Sequence, residues 1–353
     1  MKRQGHLFEK MATYENCLKA EMLLGKNKPD NRMAVYISSH PEKYAEQLLL
    51  KIQTNNMDWH KPREKTICDS YKGKERNLKI PCLEDQAAQM AWLNIAAPAI
   101  LKRNYYYNCG SIPNAGQTRC VNGLSKWLKN GKRKYGATLD IKKFYDSCPH
   151  SAIRKALEKI FKDKKFVDFA MQFVKTMSDT DVGIAIGYPS SHWIANLVLM
   201  FMDNEVVRLF PTVKYTRYMD DMALTCANKR TLKRAVQYII ETLKSMGLEL
   251  KQWNVFKIKG RGMTFLSYRF FHGYTLLTKT LMVRISRRMK KAKNTMSAHV
   301  AAGVISLLGI LKWCNSFNFR MKYVYPYVNV NFCKRLVSLS MMKRRMNEAS
   351  GCC

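Results

Sequence analysis

Tyr218-Met219-Asp220-Asp221 lies between two segments rich in β-forming residues, 213–217 and 222–225. This pattern predicts a β-hairpin with a pair of adjacent aspartates at its tip. Two carboxylates so close together repel each other unless a cation neutralises their charge. The stretch therefore predicts either a divalent-metal site or a solvated Asp-Asp turn, and a third carboxylate elsewhere in the chain favours the metal site.

Asp140 is that third carboxylate. It ends a short apolar strand predicted over residues 135–140, after which the chain turns through polar residues. Oxygen ligands of this kind suit Mg²⁺, or Mn²⁺ in its place. Two such ions, about 3.5–4 Å apart, activate an attacking 3′-hydroxyl and stabilise the leaving pyrophosphate. We therefore predict nucleotidyl transfer, with Asp140, Asp220 and Asp221 as the catalytic metal ligands.

The charge of the chain indicates a polyanionic partner. Its 353 residues include 61 lysines and arginines against 26 acidic residues, a formal net charge of +35, and such a field attracts nucleic acid. A membrane-surface protein is the alternative, but no sustained amphipathic anchor supports it, and the most apolar stretch, 300–313, is too short to span a bilayer. We therefore predict a nucleic-acid partner and no membrane.

The 11 cysteines predict neither a zinc cluster nor a disulfide framework. No Cys-x-x-Cys pair is followed by a second one. Scattered thiols in a chain without a signal peptide are typical of a reducing cytoplasm.

Four blocks, in order along the chain, resemble those of the reverse transcriptases. Asp140 with Ile141 resembles the first catalytic block of their palm, and residues 218–221 resemble the second. Residues 186–197 are similar to the block that lines the template and incoming-nucleotide pocket, and 265–270 are similar to the primer-grip hairpin. The resemblance implies an α+β right-hand polymerase fold with fingers, a palm made of an antiparallel sheet with helices on one face, and a helical thumb.

The resemblance also implies a division of the chain into four parts. These are an N-terminal helical extension at 1–60, the fingers at 61–135, the palm with interleaved helices and the primer-grip hairpin at 136–275, and the thumb at 276–353. In the extension we expect two basic amphipathic helices, one ending near Leu24 and one running from His40-Pro41 to Gln53. Binding of RNA and simple packing are both open for these helices.

Further site residues follow from the same resemblance. Ile141 is implied to lend a backbone carbonyl to the metal ions. The residues implied to contact the incoming nucleotide are Arg76, Lys74, Lys79, Tyr145, Gly187 and Lys251. Those implied to contact the template or primer are Tyr218, Met219, Ser191, Asn196, Leu266 and Tyr268. For the hairpin cations the alternative is a solvated basic turn, and for Lys251 it is an ordinary surface cation.

Tyr145 occupies the position of the family's sugar gate, where a bulky ring collides with a 2′-hydroxyl. An aromatic residue there implies a DNA product, although a core position for Phe144 or Tyr145 is the alternative. The chain departs from the commoner family pattern at Gln86, where many relatives have arginine, and at His192, where glutamine is expected. It also has Ile186 before Gly187, where isoleucine recurs in the diversity-generating retroelement enzymes and in some related bacterial enzymes.

The predicted function is that of an RNA-directed DNA polymerase that makes cDNA with dNTPs on a dedicated, structured noncoding RNA in bacterial antiphage defence. A diversity-generating reverse transcriptase is the alternative, and a catalytically idle RNA-binding scaffold is an alternative of another class. Retrons are less favoured because their thumb tripeptide Val-Thr-Gly is absent. The resemblance implies a cytoplasmic enzyme encoded by a bacterium or a phage, acting alone or with a second copy or an accessory protein.

Overall fold

The computed structural model describes residues 3–69 and 74–350. The N-terminal part contains four helices, α1 (Leu7–Met11), α2 (Tyr14–Asn27), α3 (Arg32–Ser39) and α4 (Pro41–Gln53). Helix α4 confirms the predicted helix from His40-Pro41 to Gln53, whereas the predicted number of two helices was wrong, because the first predicted helix is divided into α1 and α2 and α3 is a further helix. Thr13 caps α2 by accepting from the Asn16 N–H, and Asn31 caps α3 by accepting from the Ala34 N–H.

The next part combines a hairpin with two helices. Strands β1 (Arg63–Asp69) and β2 (Lys74–Ile80) pair in antiparallel register, and they are followed by α5 (Leu83–Leu101) and α6 (Gly116–Leu128). Helix α5 is buried over most of its surface, which explains its nearly continuous apolar sequence. Gln86 in its first turn is buried and donates from Nε2 to the Pro81 carbonyl at 2.6 Å, so this departure from the family pattern is satisfied within the protein.

A four-stranded antiparallel sheet forms the centre of the molecule. Its strands are β3 (Tyr135–Asp140), β4 (Lys214–Tyr218), β5 (Asp221–Cys226) and β6 (Val255–Lys257), in the spatial order β4-β5-β3-β6. Alternation along β5 directs Met222 and Leu224 into one hydrophobic core and Ala223 into a second core on the opposite face. The sheet therefore lies between the two cores.

Five helices connect the central strands. They are α7 (Phe144–Ser147), α8 (His150–Ile160), α9 (Lys164–Lys175), α10 (Ser191–Leu209) and α11 (Lys229–Ser245). Helix α10 packs against β4, and α11 packs against β3, β5 and β6. The helices thus bury one face of the sheet and leave the tip of the β4-β5 hairpin at its edge.

The C-terminal part begins with a second small sheet, made of β7 (Met263–Phe265), β8 (Tyr268–Phe270) and β9 (Thr275–Leu277). Helices follow in the order α12 (Lys279–Asn294), α13 (Ala298–Ile310), a short 3₁₀ turn (Leu311–Trp313), α14 (Phe317–Tyr323) and α15 (Val330–Ser350). Side chains of β7–β9, α12 and α13 share the second core. The α+β architecture with a helical C-terminal part confirms the predicted fold class.

Within residues 3–69 and 74–350, the structure contains no helix that combines the length and apolar character needed to cross a bilayer.

Candidate active site

The strand register brings the predicted carboxylates to one edge of the central sheet. Strand β3 pairs with β5 so that Asp140 lies opposite Asp221. Strand β4 pairs with β5 so that Tyr218 lies opposite Asp221, which leaves Met219 and Asp220 as a two-residue turn. The predicted hairpin is therefore present, with Asp220 in the turn and Asp221 as the first residue of the returning strand. All three aspartates are partly exposed at this edge.

A buried ion pair supports the hairpin turn from below. Arg217 donates from Nη2 to Asp203 Oδ2 at 2.6 Å and from Nε to Oδ1 at 2.9 Å, and both side chains are completely buried. Tyr215 donates its hydroxyl to the same carboxylate at 2.7 Å. The remaining guanidinium nitrogen, Nη1, donates to the Met219 carbonyl at 2.8 Å. This pair therefore links helix α10 directly to the turn that carries Asp220.

The backbone of this turn needs that support. Met219 has a φ of 57°, in the left-handed region that non-glycine residues rarely adopt. Neither Arg217 nor Asp203 was among the predicted site residues. The polar sequence of β4 gives no sign that Arg217 is buried, and the need for a partner follows only from that burial, because a buried charge must be paired. Its partner lies 14 residues away on α10 and was not identifiable from spacing.

Asp140 offers one oxygen to a cation and uses the other within the protein. Its Oδ2 accepts a hydrogen bond from Lys251 Nζ at 2.7 Å, and the Lys251 N–H donates to the Asp140 carbonyl at 2.8 Å. Its Oδ1 is buried and has no hydrogen-bond partner among the residues that the structure describes. A buried acceptor without a donor is an unfavourable arrangement that a bound cation would relieve. The oxygen-only donor set of the three aspartates thus fits Mg²⁺ or Mn²⁺.

Lys251 carries a positive charge beside these carboxylates. Its hydrogen bond to Asp140 raises the pKa of the ammonium group, and the nearby charges of Asp220 and Asp221 act in the same direction. Lys251 therefore remains protonated at neutral pH. The predicted metal-ligand carbonyl belongs to Ile141, which is buried and forms a β-bridge with Leu250 next to Lys251.

Tyr145 lies in α7 on the side of the site occupied by Asp220. Its hydroxyl shares a hydrogen bond with His192 Nδ1 at 2.9 Å, whereas the neighbouring Phe144 is buried in the core. Burial raises the pKa of the Tyr145 hydroxyl above its usual range, and the charge of Asp220 adds to this shift. Burial also lowers the pKa of His192, so the ring is neutral at neutral pH. His192, which stands where the family pattern has glutamine, thus holds the Tyr145 hydroxyl through this hydrogen bond.

We predict that Tyr145→Ala lets the chain incorporate ribonucleotides. Removing the ring opens space for a 2′-hydroxyl, and discrimination against rNTPs should fall by about 10- to 100-fold, the scale of a steric contact in a pocket. Single-nucleotide incorporation with dNTP and rNTP at matched concentrations measures the ratio. Tyr145→Phe is the control because it keeps the ring and loses only the hydrogen bond to His192. Unchanged discrimination in Tyr145→Ala would show that the gate lies elsewhere.

The hairpin residues predicted to contact the triphosphate have different surroundings. Arg76 lies on β2 opposite Ile67, and its charge acts on the Tyr145 hydroxyl, which places it toward the same side of the site. Lys79 Nζ lies 3.9 Å from Glu64 on the neighbouring strand, a weak cross-strand pair. The side chain of Lys74 lies outside what the structure describes. Contact with a triphosphate remains a prediction for all three.

Gly187 has a packing reason for being glycine. Its φ is 122°, and a Cβ built there would lie 2.5 Å from the Lys79 carbonyl oxygen. The Lys79 N–H also donates to the Ile186 carbonyl at 2.9 Å. The end of the β1-β2 hairpin is therefore attached closely to the segment that leads into α10, and only glycine allows this approach.

Several residues predicted to contact the template or primer are buried and bonded internally. Ser191 donates its hydroxyl to the Ala185 carbonyl, and Asn196 Nδ2 donates to the Gly110 carbonyl at 2.8 Å. Tyr268 is 3% exposed and donates its hydroxyl to the Ile310 carbonyl at 2.9 Å, which attaches β8 to α13. Because their polar atoms are used inside the protein, we expect these three side chains to position other groups and not to touch nucleic acid.

The other predicted template and primer residues are accessible. Tyr218 and Met219 are partly exposed on the β4-β5 hairpin. Leu266, also partly exposed, forms the β7-β8 turn with Ser267, and both have a positive φ. These three remain predicted contacts.

Comparisons with known proteins agree with this geometry. Residues 61–270, more than half of the chain, match the family described as Reverse transcriptase (RNA-dependent DNA polymerase). The chain is 26% identical over 133 residues to the Retron Ec73 reverse transcriptase of Escherichia coli. The aligned region covers 34% of this chain and 41% of that relative. The chain therefore spans less than half the length of this curated relative.

A solved structure shows the same fold. The structure of apo telomerase from Candida tropicalis superposes with a TM-score of 0.51 at 13% identity, covering 76% of this chain and 56% of that one. At this identity the likeness concerns the fold alone. Residues 61–270, which match the reverse transcriptase family, contain the β1-β2 hairpin, the central sheet and both aspartate blocks. The chain therefore belongs to the reverse transcriptase (RNA-dependent DNA polymerase) family.

Proposed function

We propose that the chain is an RNA-directed DNA polymerase that extends a primer by nucleotidyl transfer. The observation that carries the proposal is the register that sets Asp140 opposite Asp221, beside the turn that contains Asp220. These carboxylates, with the Ile141 carbonyl, would hold two Mg²⁺ ions. When bound, the ions would favour attack by the primer 3′-hydroxyl and neutralise charge on the leaving pyrophosphate.

The remaining residues of the site orient the substrate and supply positive charge. The ring of Tyr145, fixed by His192, excludes a 2′-hydroxyl and so selects deoxynucleotides. Arg76 on the β1-β2 hairpin would bind the triphosphate, since a guanidinium binds phosphate oxygens well. Lys251, protonated beside Asp140, is positioned as a proton donor to the leaving pyrophosphate.

The proposed cellular role is antiphage defence in the bacterial cytoplasm, with a dedicated structured noncoding RNA as template. The formal charge of +35 supports a large polyanionic partner. Similarity to a retron reverse transcriptase supports a bacterial retroelement origin. Ile186, next to Gly187, favours a diversity-generating enzyme as the second candidate. Assembly with a second copy or an accessory protein belongs to the same proposal.

Sequencing the nucleic acid that co-purifies with the protein from a bacterial host tests both levels of the proposal. The control is the Asp220→Asn/Asp221→Asn variant. DNA that is present only with the wild type supports polymerisation, and its sequence identifies the template. A copy of one noncoding RNA supports the defence role, whereas an adenine-mutated gene segment supports diversification.

Two further outcomes are decisive. RNA alone in both samples, together with no primer extension on an RNA template in Mg²⁺, would favour the idle scaffold.

Plating phage on cells that express the wild type or the double variant tests the defence role separately. Equal plaque numbers on the two strains would contradict defence while leaving polymerase activity intact.

A further inference from the structure

Three side chains of the types that commonly bind metals meet at the base of the β1-β2 hairpin, away from the aspartates of the palm. His60 lies three residues before β1, Cys82 lies two residues after β2, and Asp85 belongs to the first turn of α5. One ligand atom from each residue lies within 4.8 Å of the other two. The two ends of the hairpin and the start of α5 therefore converge on one point.

The two distances from His60 Nδ1 to the other ligand atoms are close to the edges of a tetrahedral site. His60 Nδ1 lies 3.3 Å from Asp85 Oδ1 and 3.4 Å from Cys82 Sγ. A tetrahedral Zn²⁺ with ordinary bond lengths would separate its nitrogen and oxygen ligands by about 3.3 Å and its nitrogen and sulfur ligands by about 3.6 Å. Two of the three edges are therefore close to their tetrahedral lengths, and the third pair, the Cys82 sulfur and an Asp85 carboxylate oxygen, lies within 4.8 Å.

Hydrogen bonds already orient the ligands. Asp85 Oδ2 accepts from the His60 N–H at 3.1 Å, which directs Oδ1 toward the histidine ring, and the Asp85 N–H donates to Cys82 Sγ at 3.4 Å. Such bonds to the ligand atoms are the supporting contacts that metal sites need. Asp85 is 2% exposed, whereas the His60 side chain is 50% exposed. The exposed side gives an ion a path of entry and leaves room for a water ligand.

We propose that His60, Cys82 and Asp85 bind one Zn²⁺ ion that fastens both ends of the β1-β2 hairpin to helix α5. A neutral imidazole, a thiolate and a carboxylate together carry two negative charges, which balance the ion. Mixed nitrogen, sulfur and oxygen donors select zinc over the magnesium that the palm carboxylates prefer. The bound ion would hold the hairpin, and with it Arg76 and Lys79, in one orientation relative to the palm.

Metal analysis of the purified full-length chain tests the proposal. After equilibration with Zn²⁺ and removal of excess metal, we expect about one zinc per wild-type chain. Cys82→Ser should lose it, and this variant should still fold because serine caps α5 as well as cysteine does. His60→Ala should lose the ion too. Cys68→Ser is the matched control, since Cys68 lies exposed on β1 of the same hairpin.

Cobalt substitution identifies the ligands directly. The wild-type chain loaded with Co²⁺ should show a sulfur-to-cobalt charge-transfer band that Cys82→Ser abolishes and Cys68→Ser retains. Added Zn²⁺ should also raise the melting temperature of the wild type and not that of Cys82→Ser. Absence of bound zinc in the wild type, or equal zinc in all variants, would overturn the proposal and leave the three residues as a hydrogen-bonded helix cap. The zinc content, the cobalt spectrum and the melting temperature can all be measured without polymerase activity.

Discussion

Asp140→Asn is expected to lower nucleotide incorporation by about 10³-fold or more while leaving RNA affinity unchanged. The amide keeps the size of the side chain but removes the negative charge that the divalent ions require. Loss of metal-based charge stabilisation removes several kcal/mol of transition-state binding, and each ~1.4 kcal/mol corresponds to a tenfold change in rate. Primer extension on an RNA template in Mg²⁺ measures the rate, and filter binding measures the affinity.

Asp146→Asn is the matched control for this prediction. Asp146 lies six residues further along the chain on α7 and is exposed, so the same chemical change should leave incorporation unaltered. If Asp140→Asn retained near wild-type synthesis, the metal assignment at the edge of the sheet would have to be abandoned. If both variants lost RNA binding, the cause would be a loss of folding, since removing a negative charge does not weaken the attraction to a polyanion.

Arg217→Met is expected to destabilise the folded chain by about 3–5 kcal/mol and to abolish polymerisation. The substitution leaves the Asp203 carboxylate buried without its charged partner, and breaking one side of a buried pair carries a penalty of this size. It also removes the donor to the Met219 carbonyl that supports the strained turn. Urea denaturation measures the stability, and primer extension below the unfolding transition measures activity.

A double variant separates the two effects of Arg217. In Arg217→Met/Asp203→Leu both charges are removed, and part of the stability should return because apolar replacements of a buried pair are often tolerated, while the buried Tyr215 hydroxyl loses its acceptor. Activity should stay low, since the turn has still lost its support. Arg208→Met is the control, because Arg208 pairs with Glu205 on the exposed surface of α10 and should leave stability unchanged. Full activity in the double variant would contradict a positioning role for Arg217.

The predicted parts of the site are those in which local sequence carries the information. Asp220 and Asp221 follow from a short hairpin between two β-rich segments, and the observed pairing of Tyr218 with Asp221 agrees with that prediction. Asp140 follows from the end of an apolar strand. In both cases a two-residue alternation over a few positions determines which side chain reaches the edge of the sheet.

The parts that were missed depend on pairing between distant segments. Asp203 reaches Arg217 only because α10 packs against β4, and Tyr145 meets His192 across 47 residues of sequence. The predicted helix at Pro41–Gln53 is present, but the division of the preceding segment into α1, α2 and α3 was missed because capping by Thr13 and Asn31 is a property of single side chains, which a periodic pattern does not register.

The amino-acid sequence by itself determined the order of the blocks and the edge on which the three aspartates lie, and its resemblance to the reverse transcriptases implied the α+β polymerase architecture. The strand and the hairpin that carry the aspartates depend on hydrophobic periodicity and turn chemistry, which act over a few residues. Only the tertiary structure decided that Arg217 supports the turn, that Ser191, Asn196 and Tyr268 bond inside the protein, and that His60, Cys82 and Asp85 converge. The physical reason is that burial and long-range contacts are set by the packing of whole elements, so the partners of a side chain appear only when those elements meet.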